Sequence, residues 1–413
     1  MSDKKTALNT RCCIVGGGPA GVMLGLLLAR AGVRVTVLEK HADFLRDFRG
    51  DTVHPSTLQI LTELGLFERF NALPQHRAHE LKIAFGDRLQ PFVDFNGLKP
   101  FDYLSLVPQW DLLNLLADAG RQCAEFDLRM HTEATGVIEE NGRIIGVRAD
   151  SPDGALEIRA DLVVGSDGRT STMRGVAGFE PVDYGAPMDV LWFRMPRRRD
   201  DSEDTFGRAA FGHLMVLLNR DDYWQVAYVV AKGGADALRA RPIGEFRDNV
   251  AKIAPFLADR TQTIESWDGV KLLEVKVNRL PQWYRPGLLL IGDAAHAMSP
   301  VGGVGINLAI QDAVASANIL APALLAEGMP GETPLRAVQK RREWPTRFTQ
   351  ALQLQIQKRV ISRALANSQG QMELPALMRW LLRFRWVRNI PARLIGYGVR
   401  PEHVQLAGMK ETP

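Results

Sequence analysis

Three short runs in this chain place glycines and acids where chemistry on a phosphorylated, redox-active ligand would need them. The first is Gly16-Gly17-Gly18-Pro19-Ala20-Gly21, a GxGxxG pattern, with Glu39 and Lys40 further on. Gly16 permits a tight turn, Gly18 lets the backbone approach a pyrophosphate, and Gly21 allows close helix packing, so that a helix N-terminus faces the phosphates. Glu39 is placed to accept the ribose hydroxyls. With a strand before, a helix after and an acid in position, the expected ligand is a dinucleotide. Spacing alone leaves NAD and FAD open, and the acid argues only against the 2′-phosphate of NADP. The second run is Asp167-Gly168, and the third is Gly292-Asp293 followed by Pro300, Gly302, Gly303 and Gly305. Taken singly, each of these two reads as an ordinary turn.

The elements that must position these residues are legible from hydrophobic period and from glycine and proline punctuation. Arg11–Val15 reads as a strand, Ala20–Ala31 as a helix stopped by Gly32, and Arg34–Glu39 as a second strand, which completes a βαβ unit. Ser56 is the expected N-cap of a helix over Thr57–Leu64, and Gln109–Ala124 reads as another helix. Val137–Glu140 and Arg143–Ala149 flank the hairpin dipeptide Asn141-Gly142, with Leu156–Ala160 and Asp161–Ser166 expected as two further strands. Met188–Met195, Phe211–Leu218 and Tyr223–Ala231 predict the antiparallel strands of a second domain. Leu288–Ile291 is one more buried strand, Gly305–Leu325 a long helix, and the chain from Leu335 onward is expected to be helical with breaks at Pro345, Pro375 and Pro391. No repeat or long linker separates these parts, so the domains are expected to interleave.

Composition bounds the function. The 413 residues are 46% hydrophobic and 24% charged, enough apolar material for about two to three domain-sized units. No uninterrupted apolar run reaches the ~18 residues of a membrane span. The opening Met1-Ser2-Asp3-Lys4-Lys5 leads into no signal-peptide core, which makes the cytoplasm the expected compartment. Cys12, Cys13 and Cys123 cannot all pair, and neither a disulfide framework nor a metal site is expected. From Arg336 to Arg400 fourteen Lys or Arg stand against two acids, so the rest of the chain is net acidic. With no nucleic-acid motif beside it, that basic stretch reads as a solvated face whose arginine stems cover the core. No nucleic-acid partner and no membrane contact are expected.

Beyond these readings, Leu162–Arg174, with Asp167-Gly168-Arg169 at its centre, resembles the DG motif of class A flavoprotein monooxygenases, the para-hydroxybenzoate hydroxylase family. Leu290–Asp312 resembles that family's GD motif and the glycine-rich segment after it, and Phe48–His54 resembles the segment in which an arginine touches FAD. The resemblance implies FAD held by Gly16, Gly18, Pro19, Ala20, Gly21, Glu39, Lys40, Arg49, Gln109, Asp167, Asp293, Gly303, Gly305, Ile306 and Asn307. It implies backbone N–H groups around Pro300 that stabilise reduced flavin. The family's motif histidine, His296 here, is structural. The absence of a second GxGxxG fits NADH or NADPH docking transiently as reductant. The activity implied is hydroxylation of an aromatic or heteroaromatic small molecule by O2 through a flavin C4a-hydroperoxide.

The implied fold is α/β: a Rossmann-like FAD-binding domain from residues 1–77, 102–181 and 268–330, an antiparallel substrate domain from 78–101 and 182–267, and a helical region over 331–413. Trp192, Arg194, Phe211, Met215, Gln225 and Tyr228 are the candidate substrate residues, with Tyr223 and His213 as a proton relay for a phenol and Pro300 beside the flavin. Period-2 alternation groups Phe211, His213 and Met215 on one face without saying which face is inward. The rival enzymes on this scaffold are a halogenase, an epoxidase and an isoprenoid reductase, and the non-enzymatic rival is a flavin-binding sensor. The halogenase hallmark is matched only in part, by Trp386-Val-Arg388-Asn-Ile390-Pro391. A monomer or homodimer is expected.

Overall fold

In the computed structural model residues 6–45, 52–85, 88–361, 365 and 376–406 are described. Thr6–Val15 pairs in parallel with Val35–Leu38 on one side and with Gly154–Gly165 on the other. Between the first two strands runs the helix Pro19–Arg30, apolar enough to be buried over nearly its whole length. The sheet extends in the order Tyr284–Arg285, Leu288–Leu290, Gly154–Gly165, Thr6–Val15, Val35–Leu38, Phe126–Arg129, with the hairpin Glu133–Glu140 and Arg143–Ser151 paired at its side. The two strands expected over Leu156–Ser166 are one, because Asp161 does not interrupt pairing. It faces Arg11 across the strands as an ion pair, which meets the charge that would otherwise end the strand. Ser56 does not cap its helix either. The helix is Pro55–Glu63, with His54 at the cap position and Pro55 in the first turn, where its missing N–H costs nothing.

The second sheet runs Lys271–Leu273, Met188–Pro196, Tyr223–Ala231, His213–Asn219, Phe206–Ala210, Glu80–Phe85, Arg88–Asp94. Its pairings are antiparallel except between Phe206–Ala210 and Glu80–Phe85, which are parallel. The edge strand Lys271–Leu273 lies in the stretch that sequence assigns to the FAD-binding domain, yet it pairs with Met188–Pro196. Phe211 is not in a strand. With Gly212 it forms the turn between Phe206–Ala210 and His213–Asn219, and its φ is 53°.

Both faces of this sheet are covered. Phe193, Met215, Trp224, Val226 and Tyr228 pack against Phe246, Val250 and Ile253 of the helix Ile243–Ile253. The opposite face carries Val190, Val216 and Ala227, which meet Val275, Val277 and Leu354, and Met188, Leu214 and Val229, which meet Val301 and Ile361. This second face therefore looks toward the glycine-rich segment.

The stretch Val301–Leu325, which contains the helix Gly305–Leu325 and is long and apolar enough to cross a bilayer by length and composition, is mostly buried inside the fold. After it, Glu332–Ile356 passes through Pro345 and Arg385–Gly396 passes through Pro391 without a break, while Pro375 lies outside the described residues. A helix-interior proline costs about 3 kcal/mol. Buried Arg342, Thr346 and Gln350 around Pro345, and buried Ala392 beside Pro391, supply tertiary anchoring that outweighs it.

The most concentrated ion pair of the second domain is Asp201 with Arg260, at 2.6 and 2.8 Å, both side chains 6% exposed, with the Trp224 indole N–H donating to the same carboxylate at 3.0 Å. Burial alone would raise the Asp201 carboxyl, but the bonds from Arg260, the Arg198 backbone and Trp224 outweigh it and hold it at about 2. Because the folded value lies below the ordinary one, the stabilisation is complete above pH ~4 and is lost as pH falls toward 2, with roughly 2 kcal/mol in play. Asp201→Asn is expected to remove that acid-limb dependence from urea unfolding curves and to destabilise the protein at pH 7 by about 3 kcal/mol.

Candidate functional site

The site is built where two helix N-termini meet. Gly292, at φ 58°, is so placed that a Cβ on it would lie 3.5 Å from the Cβ of Ala20 and 3.4 Å from that of Ala309. Ala20 is in the first turn of Pro19–Arg30 and Ala309 in the second turn of Gly305–Leu325, and neither helix has a side-chain N-cap bond. Unclaimed N–H groups and two positive dipole ends therefore converge on one spot, an arrangement that suits an anionic ligand.

The glycines around that spot divide into two kinds. A Cβ at Gly16, whose φ is 106°, would lie 2.6 Å from the Ser166 carbonyl oxygen, and one at Gly21 would overlap the Gly16 carbonyl oxygen. These two let strand, turn and helix close on each other. Gly18 and Gly305 face open space, with nothing within 4 Å of a built Cβ. They form a cradle that fits a dinucleotide pyrophosphate. Glu39 is nearly buried and accepts from the backbone N–H of Gly17 at 3.1 Å and of His41 at 3.0 Å, so it braces the glycine turn itself. Lys40 stands at the surface, paired with Glu133 at 3.7 Å.

The second and third motifs are brought together beside this cradle. Asp167 accepts from Ser171 Oγ at 2.5 Å and from the Met173 N–H at 3.0 Å, which fixes the start of the short helix Thr172–Val176. Arg169 reaches Asp293 at 3.2 Å, and Arg174 donates to the carbonyls of Ala294 at 3.3 Å and Arg169 at 2.7 Å. Gln109 opens the helix Gln109–Arg121 and is half-buried, and Arg49 lies outside the described residues. His296 is not placed as an acid or base. Its Nε2 is 2.6 Å from Asp312, with both side chains buried.

The glycine-rich segment is held from the side by groups that sequence reasoning missed. Pro300 precedes a turn closed by the Gly303 N–H on the Pro300 carbonyl at 3.0 Å, with Gly302 at φ 80° and Gly303 at φ 63°. A Cβ at Gly303 would collide with Thr52 Oγ1. Asn307 Oδ1 accepts from the His54 N–H at 3.0 Å and from Thr57 Oγ1 at 2.6 Å, so this oxygen ties chain to chain. The Ile306 side chain is buried, which leaves its backbone as the part that can face a ligand. His54 has its Nδ1 2.7 Å from the Ile395 carbonyl, and burial pushes its ring down to about 4, so it is neutral at physiological pH. The one signal for it was position within the Phe48–His54 segment. Its partner stands 341 residues away and has no local signature.

The expected pocket residues do not all share a face. Trp192, Arg194, Tyr223 and Gln225 alternate with the buried face described above and so belong to the side toward the glycine-rich segment. Tyr223 and Arg194 sit at the strand ends, the guanidinium 4.8 Å over the phenol ring, several residues away from Val229. Met215 and Tyr228 lie on the far side, under the helix Ile243–Ile253, and His213 is joined to Tyr228 by a 2.6 Å bond between Nδ1 and the hydroxyl. Phe211, in its turn, lies 4.4 Å from the Lys252 ammonium of that same helix. Burial raises the Tyr228 hydroxyl well above the ordinary phenol range and, with Lys252 nearby, lowers the His213 ring. The His213 relay is thereby corrected: a β-sheet stands between it and the glycine-rich segment. The halogenase-like run lies on the surface helix Arg385–Gly396, with Trp386 and Ile390 exposed.

The FAD binding domain family matches residues 9–351. The 6-methylpretetramide 4-monooxygenase of Streptomyces rimosus is 34% identical over 358 residues, 86% of this chain and 85% of that protein. The rifampicin monooxygenase of Streptomyces venezuelae is 30% identical, the match taking in 73% of this chain and 61% of that longer protein. Among solved structures, the anhydrotetracycline hydroxylase OxyS of Streptomyces rimosus superposes with a TM-score of 0.73 at 22% identity, over 94% of this chain and 76% of that one.

The two kinds of glycine give separable outcomes. Gly18→Val, at an extended-to-helix junction with φ −74° and open space around it, is expected to leave the melting temperature of the ligand-free protein unchanged. It should weaken FAD binding, read by flavin fluorescence, by about tenfold or more, since the backbone can no longer approach the pyrophosphate. Gly21→Ala is expected to lower that melting temperature whether or not FAD is present.

Proposed function

The chain belongs to the FAD binding domain family of aromatic flavoprotein monooxygenases, and on that footing we propose that it draws electrons from NADH or NADPH to place one oxygen atom of O2 on an aromatic or heteroaromatic small molecule. The balance is one aromatic C–H, one NAD(P)H, one proton and one O2 consumed, with one C–OH, one NAD(P)+ and one water formed. Bound FAD supplies two-electron storage and the activation of O2.

The observation that carries this reading is the meeting of the first and third motifs at Gly292, with the second joined to the third by Arg169 and Asp293 and with Val301 of the glycine-rich segment packed on an apolar sheet face. The chain's own residues have distinct tasks. Gly18 and the two bare helix N-termini bind phosphates, and the Arg169–Asp293 pair holds the second and third motifs in register. The Gly302 N–H of the Pro300–Gly303 turn and the uncapped N-terminus of Gly305–Leu325 after it would meet negative charge on the ring system. Met188, Val190, Leu214, Val216, Ala227 and Val229 make a wall that excludes water from the reacting atoms. Trp192 and Gln225 border that wall and would orient the substrate. The relatives' named substrates, a methylpretetramide and rifampicin, favour a large, oxygen-substituted aromatic.

Two measurements test the reading. In anaerobic stopped flow, NADH or NADPH should bleach the bound flavin slowly alone and at least tenfold faster with a true aromatic substrate, and later oxygen mixing should yield hydroxylated product in stoichiometric amount. A flavin that no nicotinamide reduces under any condition would sink the proposal. In the second measurement, Val216→Trp fills the wall and should abolish the substrate's acceleration while leaving FAD bound. Tyr228→Phe, on the far face, should leave coupled hydroxylation within about twofold and cost about 1 kcal/mol in stability.

A further inference from the structure

The helix Glu332–Ile356 and its continuation Gln357–Ile361 lie outside every motif, yet besides Gln339 they bury three closely spaced glutamines on one face. Gln350, Gln353 and Gln357 are 1%, 3% and 0% exposed, and their spacing of three and four residues aligns them along the helix. A buried amide is retained only where it is bonded. Gln350 Nε2 donates to the carbonyls of Asn278 and Ala297, both at 2.9 Å. Gln353 Nε2 donates to those of Ser299 at 3.0 Å and Val301 at 2.8 Å. Gln357 Nε2 donates to Ser299 Oγ at 2.5 Å, and that same oxygen accepts from the Val301 N–H at 3.2 Å. Gln353 Oε1 has no partner among the described residues, so its two donors are what the position uses.

The consequence is directional. With the carbonyls of Ala297, Ser299 and Val301 turned to the helix, the Ser299–Pro300 and Val301–Gly302 peptides have their orientation set from outside, and in the second of these the Gly302 N–H points opposite to the held Val301 carbonyl. They need it, because the turn continues through two left-handed glycines, which have little preference of their own. Val301 also packs on Met188, Leu214 and Val229, so the gripped segment lies between the sheet wall and the flavin site.

We propose that Gln353, seconded by Gln357, is a positioning residue for the reduced cofactor: by gripping Ser299 and Val301 it keeps the Gly302 N–H of the Pro300–Gly303 turn aimed at the negative charge that reduction places on the flavin. The inference rests on the monooxygenase reading above. Gln350 is the internal control: it is as deeply buried and its Nε2 makes the same two carbonyl bonds, with a third bond from Arg279 to its Oε1 at 2.7 Å, but it holds carbonyls upstream of the turn.

The test is spectroelectrochemical titration of FAD bound to the wild type, Gln353→Met and Gln350→Met, with melting temperatures and FAD affinities measured alongside. Both variants are expected to lose thermal stability, Gln350→Met at least as much because it also strands Arg279, and to keep FAD. Gln353→Met alone should lose about tenfold of its preference for reduced over oxidised flavin, about 30 mV for a two-electron couple, and should divert a larger share of NAD(P)H to hydrogen peroxide. An unchanged potential in Gln353→Met, or an equal shift in Gln350→Met, overturns the proposal. Should Gln353→Met fail to fold, Gln357→Met must show the same downward shift, and its absence overturns the proposal equally. A wild type that holds FAD but is reduced by no nicotinamide would instead remove the monooxygenase reading, an outcome distinct from an unmoved potential.

Discussion

Asp312 is the fixed point of this molecule. Its carboxylate is wholly buried, which is tolerable only if its lone pairs are met, and four distant parts of the chain meet them or one another. The Gly292 N–H donates to Oδ2 at 3.1 Å, His296 Nε2 lies 2.6 Å from the same oxygen, and Arg342 Nε donates to Oδ1 at 2.9 Å. Arg342 passes on to Glu402 at 3.0 Å, which Arg341 also holds at 2.8 Å. Burial would raise the Asp312 carboxyl, but the opposite charge and hydrogen bonds of His296 and Arg342 outweigh it and hold it below the ordinary range. The geometry of Gly292 follows from this knot, and with it the placing of Ala20 and Ala309 side by side. Losing one partner would strand a charge in the core at the point where the two helix N-termini converge.

The same knot explains why the C-terminal helices matter to a site that none of their residues announces. Arg342 ties Glu332–Ile356 to the third motif, and the glutamines further along that helix then fall beside Ala297–Val301. At the other end, Arg385–Gly396 packs Ile395 on Met298, Val304 and Leu308 and offers its Ile395 carbonyl to His54. The glycine-rich turn is thus clamped from two sides by chain that lies far away in sequence. Two consecutive glycines with positive φ lose much conformational entropy on ordering, so a clamp of this kind is what makes so permissive a sequence hold one shape.

What could be read in advance was whatever a local rule governs. The βαβ unit, the full extent of Gly305–Leu325 and the hairpin at Asn141-Gly142 follow from period and punctuation, and the structure contains them. Readings failed where a distant partner decides. Asp161 looked like a strand break until Arg11 supplied its counter-charge, and Pro345 looked like a helix break until buried neighbours held both sides of it. The faces of the second sheet were undecidable because both are covered. In Leu191 and Val190 alike the side chain is apolar and buried, and alternation of polarity cannot mark a direction that solvent does not define.

That double burial bears on the chemistry. The strands bring no titratable side chain to the stretch of wall that meets Val301, which is Met188, Leu214 and Val229. The nearest acid-base pair by sequence, His213 with Tyr228, has a phenol that burial pushes well up and an imidazole that burial pushes down, and it is covered by the helix Ile243–Ile253. Two neutral groups so disposed form a structural hydrogen bond rather than a proton path. Under the proposed function, an electron-rich aromatic on this wall would bring its own activation, as a phenol or amine conjugated to the reacting carbon, or exchange its proton with water at the far strand ends where Arg194 and Tyr223 stand. Such a wall would select substrates by shape and by intrinsic nucleophilicity, with the protein contributing dryness and alignment.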